Sequence, residues 1–477
     1  MRYRDLPGFP RLFADFAEDS PASRPFLPAA PVAENLRAAA LSCRIPVHER
    51  HKLCNLLSRD AQLFGYREPA LANIERLGAP DSVCVVADAM PGLLGGTLDS
   101  WLKLLTAARL SEWLDGEGIP AVPIARLRRA GRFCGRPIRL FLGERALEFA
   151  PPVLENTDAV VPTELDEILS GIGASLTAQL GAPDLADALG AAYAPGTGLE
   201  EAWARLLARL LDFCGILFLT AQAQEDLTED PAIAPESAGD ALLRAFQEQD
   251  RRLRAAGYEP AGNDPASASA AGSGYAEEQS AQVTLFTRMP VAARIVDECE
   301  IYGCALAQAG FSPTLLWPRS SVTILSLRSR RRMERYGLTL PDVLAGPDAL
   351  FDMLDRKRNG LQAAGLIDAA KDELERVVAR LPAPEARLQR RIDSGKRRMH
   401  YQLEKLRQSF LHAATGRREI HRRHAVELCR ELAPFGDLQE RSVPGIQFFL
   451  RRGPDWPRAL FARMDPWTHA HQLISLE

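Results

Sequence analysis

Residues 82–124 read SVCVVADAMPGLLGGTLDSWLKLLTAARLSEWLDGEGIPAVPI, and this stretch sets the fold class. Ser82–Val86 is a short apolar run, and Ala121–Ile124 is another. Runs of this kind, without strict alternation, suit parallel strands covered on both faces. Between them, Leu98–Leu114 carries apolar residues at helical spacing and reads as an amphipathic helix. Strand, helix and strand in this order form the unit from which α/β sheets are built.

Working outward, Ile138–Leu142, Ile216–Thr220, Val283–Thr287 and Thr314–Trp317 are further strand candidates. Helical patterns cover Leu199–Phe213 and Ala241–Ala256. The sequence thus predicts a first part of the core over 1–150. A mainly helical connecting region follows over 151–260, returning to a core strand at 216–220. Residues 261–281 are rich in Ala, Ser and Gly and read as a flexible linker. A second part of the core spans 282–350, a helical arm 351–432, and a return to the core 433–477.

The arm has its own signature. Ile367–Leu381 is helical, Pro382 and Pro384 interrupt it, and a long helix runs from about Glu385 to Leu432. Ile392, Met399, Leu406, Ala413 and Ile420 fall seven apart, with Leu403 and Phe410 in the second seam position. That pattern predicts a coiled coil or a long helical hairpin. Arg417 and His424 break the second seam.

Composition bounds the function. The chain has 477 residues, 46% hydrophobic and 25% charged, which excludes wholesale disorder. Lys plus Arg is 58 against 62 Asp plus Glu, so a dedicated nucleic-acid binder is not expected. The basic arm reads as the solvated face of a coiled coil. No apolar run is long enough to span a membrane, and residues 1–20 do not read as a secretory signal. A cytoplasmic protein is expected. Its eight cysteines form no CxxC pair, so they read as reduced, buried thiols rather than metal ligands.

Several residues could carry chemistry. Gly92, Gly95 and Gly96 follow a strand and precede a helix bearing Lys103. They suit either a backbone cradle for phosphate or carboxylate, or a turn that needs small residues. Arg319 and Ser320 follow a strand end, where open α/β sheets bind ligands. The run of Arg328, Arg330, Arg331, Arg332 and Arg335 suits a solvated helix face. His48 and His51, the arm histidines, and His469 with His471 lack a metal-ligand pattern, and no metal is assigned.

Three blocks give a family resemblance. They are ANIERLGAPDSVCVVADAMPGLLGGTLDSWLK at Ala72–Lys103, PVAARIVDECEIY at Pro290–Tyr302, and the arm and tail. The tail holds FGDLQERSVPGIQFFLRRGPDWPRALF and DPWTHAHQLISL. Together they resemble the cysteine ligases of bacillithiol biosynthesis, which join cysteine to glucosaminyl-malate. The resemblance implies a Rossmann-like core, connecting helical motifs and a long C-terminal antiparallel coiled coil that makes a homodimer. It also implies a nucleotide, ATP or ADP, and small-molecule substrates. The implied site comprises Gly92, Gly95, Gly96, Lys103, Glu300, Arg319, Gln439, Glu440 and Arg441.

Some positions depart from that family. Asp88, Ala89 and Met90 stand where the family has Gly-Gln-Gln. Arg126, Arg128, Arg129 and Arg132 occupy a place that is acidic in the family. Val296, Asp297 and Glu298 replace Gly-Gly-Pro. These changes raise the alternative of a catalytically degenerate homologue acting as a dimeric scaffold.

Overall fold

The computed structural model describes residues 1–128, 138–142, 145–149, 160–161, 163–180, 183–228, 239–259, 285–308, 314–356, 360–380 and 385–476. The linker predicted at 261–281, with Arg129, Arg132 and Cys134, lies outside the described residues. The chain divides into two units. Met1–Ile324 with Gln439–Leu476 form the first, and Leu325–Leu438 the second.

The first unit is an α/β layer structure. Among the described residues its nine strands are β1 (Val83–Ala89), β2 (Ala121–Leu127), β3 (Ile138–Leu142), β4 (Arg145–Phe149), β5 (Leu217–Leu219), β6 (Val291–Val296), β7 (Leu316–Pro318), β8 (Ser321–Leu325) and β9 (His471–Ser475). Five form one sheet in the order β5-β2-β1-β6-β7, and every pairing is parallel. The chain steps outward from β1 through β2 to β5. It then crosses back over β1 to lay down β6 and β7. All seven residues of β1 are buried, as expected for a central strand covered on both faces.

Three expectations change. Of the Val283–Thr287 run, Val283 and Thr284 lie outside the described residues and Leu285–Thr287 is a helical turn; the strand here is β6. Its alanines and Arg294 dilute the apolar signal that marks the other strands. The Ile138–Leu142 run pairs antiparallel with β4 in a separate hairpin, outside the parallel sheet. The helix α1 (Leu98–Gly116) is buried on nearly every side rather than amphipathic. Even Lys103, Thr106 and Ser111 on it are buried, so polarity does not mark its outer face.

Aromatic residues of the tail fasten onto this layer. Trp456 stacks on Trp101 at 5.3 Å, and Trp467 meets Trp317 and Trp113 edge-on at 5.0 and 4.9 Å. Gly445 lies so close to Trp101 that any Cβ would overlap the indole ring. Trp101 is fully buried and cannot swing away. Gly445→Ala is therefore expected to cost about 2–3 kcal/mol by overpacking, read as a lowered urea midpoint.

The second unit is helical. Beyond α2 (Leu199–Leu210) and α3 (Ile301–Ala307) of the first unit, it holds α4 (Leu327–Tyr336), α5 (Gly360–Ala379) and α6 (Ala386–Leu432). Ion pairs tie α5 to α6: Asp368 to Arg407, Lys371 to Glu404, and Glu375 to Lys396 and His400. Leu403 is half-buried, whereas Met399, Leu406, Phe410 and Ile420 are 53%, 48%, 40% and 44% exposed. Among the described residues, four of the six apolar seam side chains therefore lie open in the single chain. Among the described residues no helix is long and apolar enough to cross a membrane.

Candidate functional site

Strand order reverses between β1 and β6. In open parallel sheets, ligands bind beyond the C-terminal strand ends at that switch point. Here the position is filled by charge. Asp88 near the end of β1 sits in register with Arg126 on β2. Arg126 grips it with two hydrogen bonds, Nε to Oδ1 at 2.5 Å and Nη2 to Oδ2 at 2.7 Å. Arg294 on β6 adds a third, Nη2 to Oδ2 at 2.6 Å. Burial alone would raise the Asp88 carboxyl. The two guanidiniums outweigh it and hold that carboxyl well below the usual range.

Beside this group, Lys103 of α1 donates to Glu300 Oε2 at 2.7 Å and to Asp297 Oδ2 at 3.1 Å. Asp297 directly follows β6, and its Oδ1 accepts from the backbone N–H groups of Cys299 and Glu300. That local turn fixes both carboxylates toward Lys103. Burial and the Asp297 charge raise the Glu300 carboxyl, against the pull of Lys103. Burial opposes the charge on Lys103, but Asp297, Glu300 and Asp88 keep the ammonium more firmly protonated than usual.

A second charge group lies at the end of β7. Arg319 is fully buried. It donates to Glu298 twice, at 3.0 and 2.9 Å, and to Glu440 at 2.9 Å. Arg441 adds a bond to Glu298 at 2.8 Å. Glu440 and Gln439 sit on the short helix α7 (Gln439–Ser442) and reach across to β8. Glu440 accepts from Ser321 Oγ and the Val322 N–H, both at 2.7 Å. Gln439 exchanges two hydrogen bonds with the Ile324 backbone, as a neighbouring strand would. These residues brace the returning tail against the sheet.

His471 on β9 completes the brace. Its ring nitrogens lie 2.7 Å from Ser321 Oγ and 2.9 Å from Thr323 Oγ1. Burial lowers its pKa from 6.5 to about 4, outweighing the pull of Glu440. The folded state therefore resists a proton that the unfolded chain accepts. The stability His471 supports is complete above pH 6.5 and is lost as pH falls toward 4. Its share is roughly 3 kcal/mol, from 1.36 kcal/mol per pKa unit. Urea midpoints at pH 7.5 and 4.5 should differ less for His471→Gln than for the parent; an equal drop would exclude this role.

The glycine turn closes on itself. Gly95 N–H donates to Tyr193 Oη at 2.8 Å, and that hydroxyl donates to Gly92 O at 2.7 Å. Trp101 Nε1 donates to Gly95 O at 2.7 Å, and Gly445 N–H donates to Gly96 O at 3.1 Å. Gly95 and Gly96 have φ of 83° and 73°, a region that favours glycine. Of the residues singled out from sequence, the structure thus places Lys103 with Glu300, and Arg319 with Gln439, Glu440 and Arg441. Gly92, Gly95 and Gly96 form a packed turn before α1.

Sequence reading singled out Asp88 and Arg126 as departures from the family but missed that they pair, and it missed Arg294 and the Tyr193 hydroxyl that pins the turn. Strand register links the first pair, and no local motif signals it. Among the described residues no cluster of His, Cys, Asp and Glu could hold a metal ion. Burial pushes the Cys304 thiol up to about 11, fitting a structural rather than reactive residue.

Residues 322–476 match the family model described as Bacillithiol biosynthesis BshC, C-terminal coiled-coil domain. Three curated proteins are similar over almost the whole chain. One from Salinibacter ruber is 25% identical, over 99% of this chain and 97% of its own length. Another from Solibacter usitatus is 27% identical, over 99% of both chains. A third, from Koribacter versatilis, is 24% identical over 94% of each. All three carry the name "Putative cysteine ligase BshC".

Proposed function

We propose that the chain is a member of the BshC family of bacillithiol biosynthesis and is the ligase joining cysteine to glucosaminyl-malate. The observation that carries this reading is the near-full-length similarity to the three ligases. Position adds to it, because charged side chains converge where a parallel sheet places its ligand.

Joining the cysteine carboxylate to an amine forms an amide with the formal loss of water. At neutral pH that needs an activating nucleotide, for which the reading takes ATP or ADP: a phosphoanhydride bond would break as the carboxylate oxygen takes a phosphoryl group, and the amine would then displace that oxygen as phosphate. Lys103 would neutralise negative charge as the carboxyl group is activated. Glu300, its carboxyl raised by burial, would accept the proton that the attacking amine gives up. Gly92, Gly95 and Gly96 would set the turn that aims α1 and Lys103 at the site. Arg319, Gln439, Glu440 and Arg441 would hold the strand ends in place. The five-strand parallel order supports a Rossmann-like core. The ion pairs between α5 and α6 run in opposite residue order, supporting an antiparallel coiled coil. The open seam on α6 fits a homodimer. The enzyme would work in the cytoplasm with its small-molecule substrates.

Deletion of the gene tests this directly. Thiols from the deleted strain would be alkylated with a fluorescent reagent and identified by mass spectrometry. Loss of bacillithiol with accumulation of glucosaminyl-malate is expected, and a plasmid copy should restore the thiol. An unchanged thiol pool would exclude the assignment.

A further inference from the structure

The first third of α6 carries Arg387, Arg390, Arg391, Arg397, Arg398 and Lys405, all exposed. At about 100° per residue, Arg387, Arg391, Arg398 and Lys405 fall within about 40° of one another around the helix. Arg390, Arg397 and Tyr401 run along one edge of that stripe. No Asp or Glu shares the face. Asp393 and Glu404 lie further round, and Glu404 pairs with Lys371 of α5. Among the described residues no carboxylate pairs with any of the six cations. Arg390 and Arg397 turn Nε back onto Ala386 O and Asp393 O. Solvated helix faces ordinarily intersperse opposite charges, because like charges three or four apart repel. Arg387 meets Arg390 and Arg391 in that way, in a chain whose net charge is -4. Cations gathered on one face without acids fit a polyanion.

The other sides of α6 decide which polyanion. An interfacial membrane helix needs an apolar face opposite its cations, and α5 covers that side through Glu375–Lys396 and Asp368–Arg407. The apolar seam of Met399 and Leu406 lies on a third face, so a partner there leaves the arginines open. Tyr401 is the one aromatic residue on the stripe, too few to stack the successive bases of a single strand. A duplex asks only for phosphate contacts, and its major groove, about 12 Å wide, admits a helix. Arg387 to Lys405 spans about 27 Å, the rise of about eight base pairs. We propose that this face of α6 binds duplex DNA through its phosphates, without reading sequence. The proposal stands apart from the ligase reading.

The test is fluorescence anisotropy of a labelled random-sequence DNA duplex titrated with the full-length protein. Saturable binding is expected at about 50 mM salt, with log affinity falling against log salt at a slope of about -5 for six phosphates neutralised. Arg387→Gln/Arg391→Gln/Arg398→Gln removes three contacts, so the slope should flatten to about -3 and affinity should drop about tenfold or more. These sites are exposed, and circular dichroism should show unchanged helix content. Lysine at the same three positions keeps the charge and should keep most of the affinity. No binding at low salt, or affinity and slope unchanged in the glutamine variant, would overturn the proposal. Capture by phosphatidylserine vesicles with no binding to the duplex would likewise overturn it, in favour of a membrane surface. No arm of the test uses ligation, so its outcome is separable from that assignment.

Discussion

Replacing Arg319 with methionine should lower the stability of the first unit by about 3–5 kcal/mol, the usual cost of breaking a buried ion pair from one side. The side chain is fully buried and holds Glu298 and Glu440 together. Methionine fills similar volume but leaves both carboxylates without their main counter-charge. Glu298 would feel this most. Burial alone would raise its carboxyl, yet Arg319 and Arg441 bring it down to about 2. Its contribution is therefore present above about pH 4.5 and lost as pH falls toward 2. In Arg319→Met the acid-induced loss should shrink, because less is left to lose. Restoring neutrality with Glu298→Gln and Glu440→Gln in the same chain should recover much of the stability. A single variant as stable as the parent in urea would show that the cluster does not brace the tail.

The second large effect concerns assembly. Met399 and Leu406 stand exposed one heptad apart on α6. If the proposed homodimer forms through this seam, glutamate at both positions should convert it to a monomer. A symmetric pair loses four apolar side chains at about 1.5 kcal/mol each, on the order of 10⁴ in association. Light scattering would read this as a halved mass, with helix content unchanged because both sites face outward. A parent that is monomeric at every concentration would refute the dimer itself.

Sequence patterns exposed most of the architecture. Strands β1, β2, β5 and β7 are compact apolar runs, and α6 shows as a heptad register from Ile392 to Ile420 that Arg417 breaks only in its second seam. The β6 strand was hidden because VAARIV mixes small alanines with an arginine whose charge is satisfied by Asp88 across the sheet. Helix α1 read as amphipathic because Lys103 looks like a surface residue until Asp297 and Glu300, almost 200 positions away, are brought to it. The candidate site is legible only in part for the same reason. Gln439, Glu440 and Arg441 could be singled out together, but their partners on β8 and at Glu298 appear only once the tail returns. The glycine turn likewise looks free in sequence, and Tyr193, about a hundred residues on, occupies its Gly95 amide.

The most direct measurement uses the purified full-length protein with cysteine, glucosaminyl-malate and ATP, or ADP in a parallel reaction. Mass spectrometry should find the cysteinyl amide of glucosaminyl-malate, formed only when all components are present. Folded protein that yields no amide under these conditions, with either nucleotide, would contradict the ligase assignment.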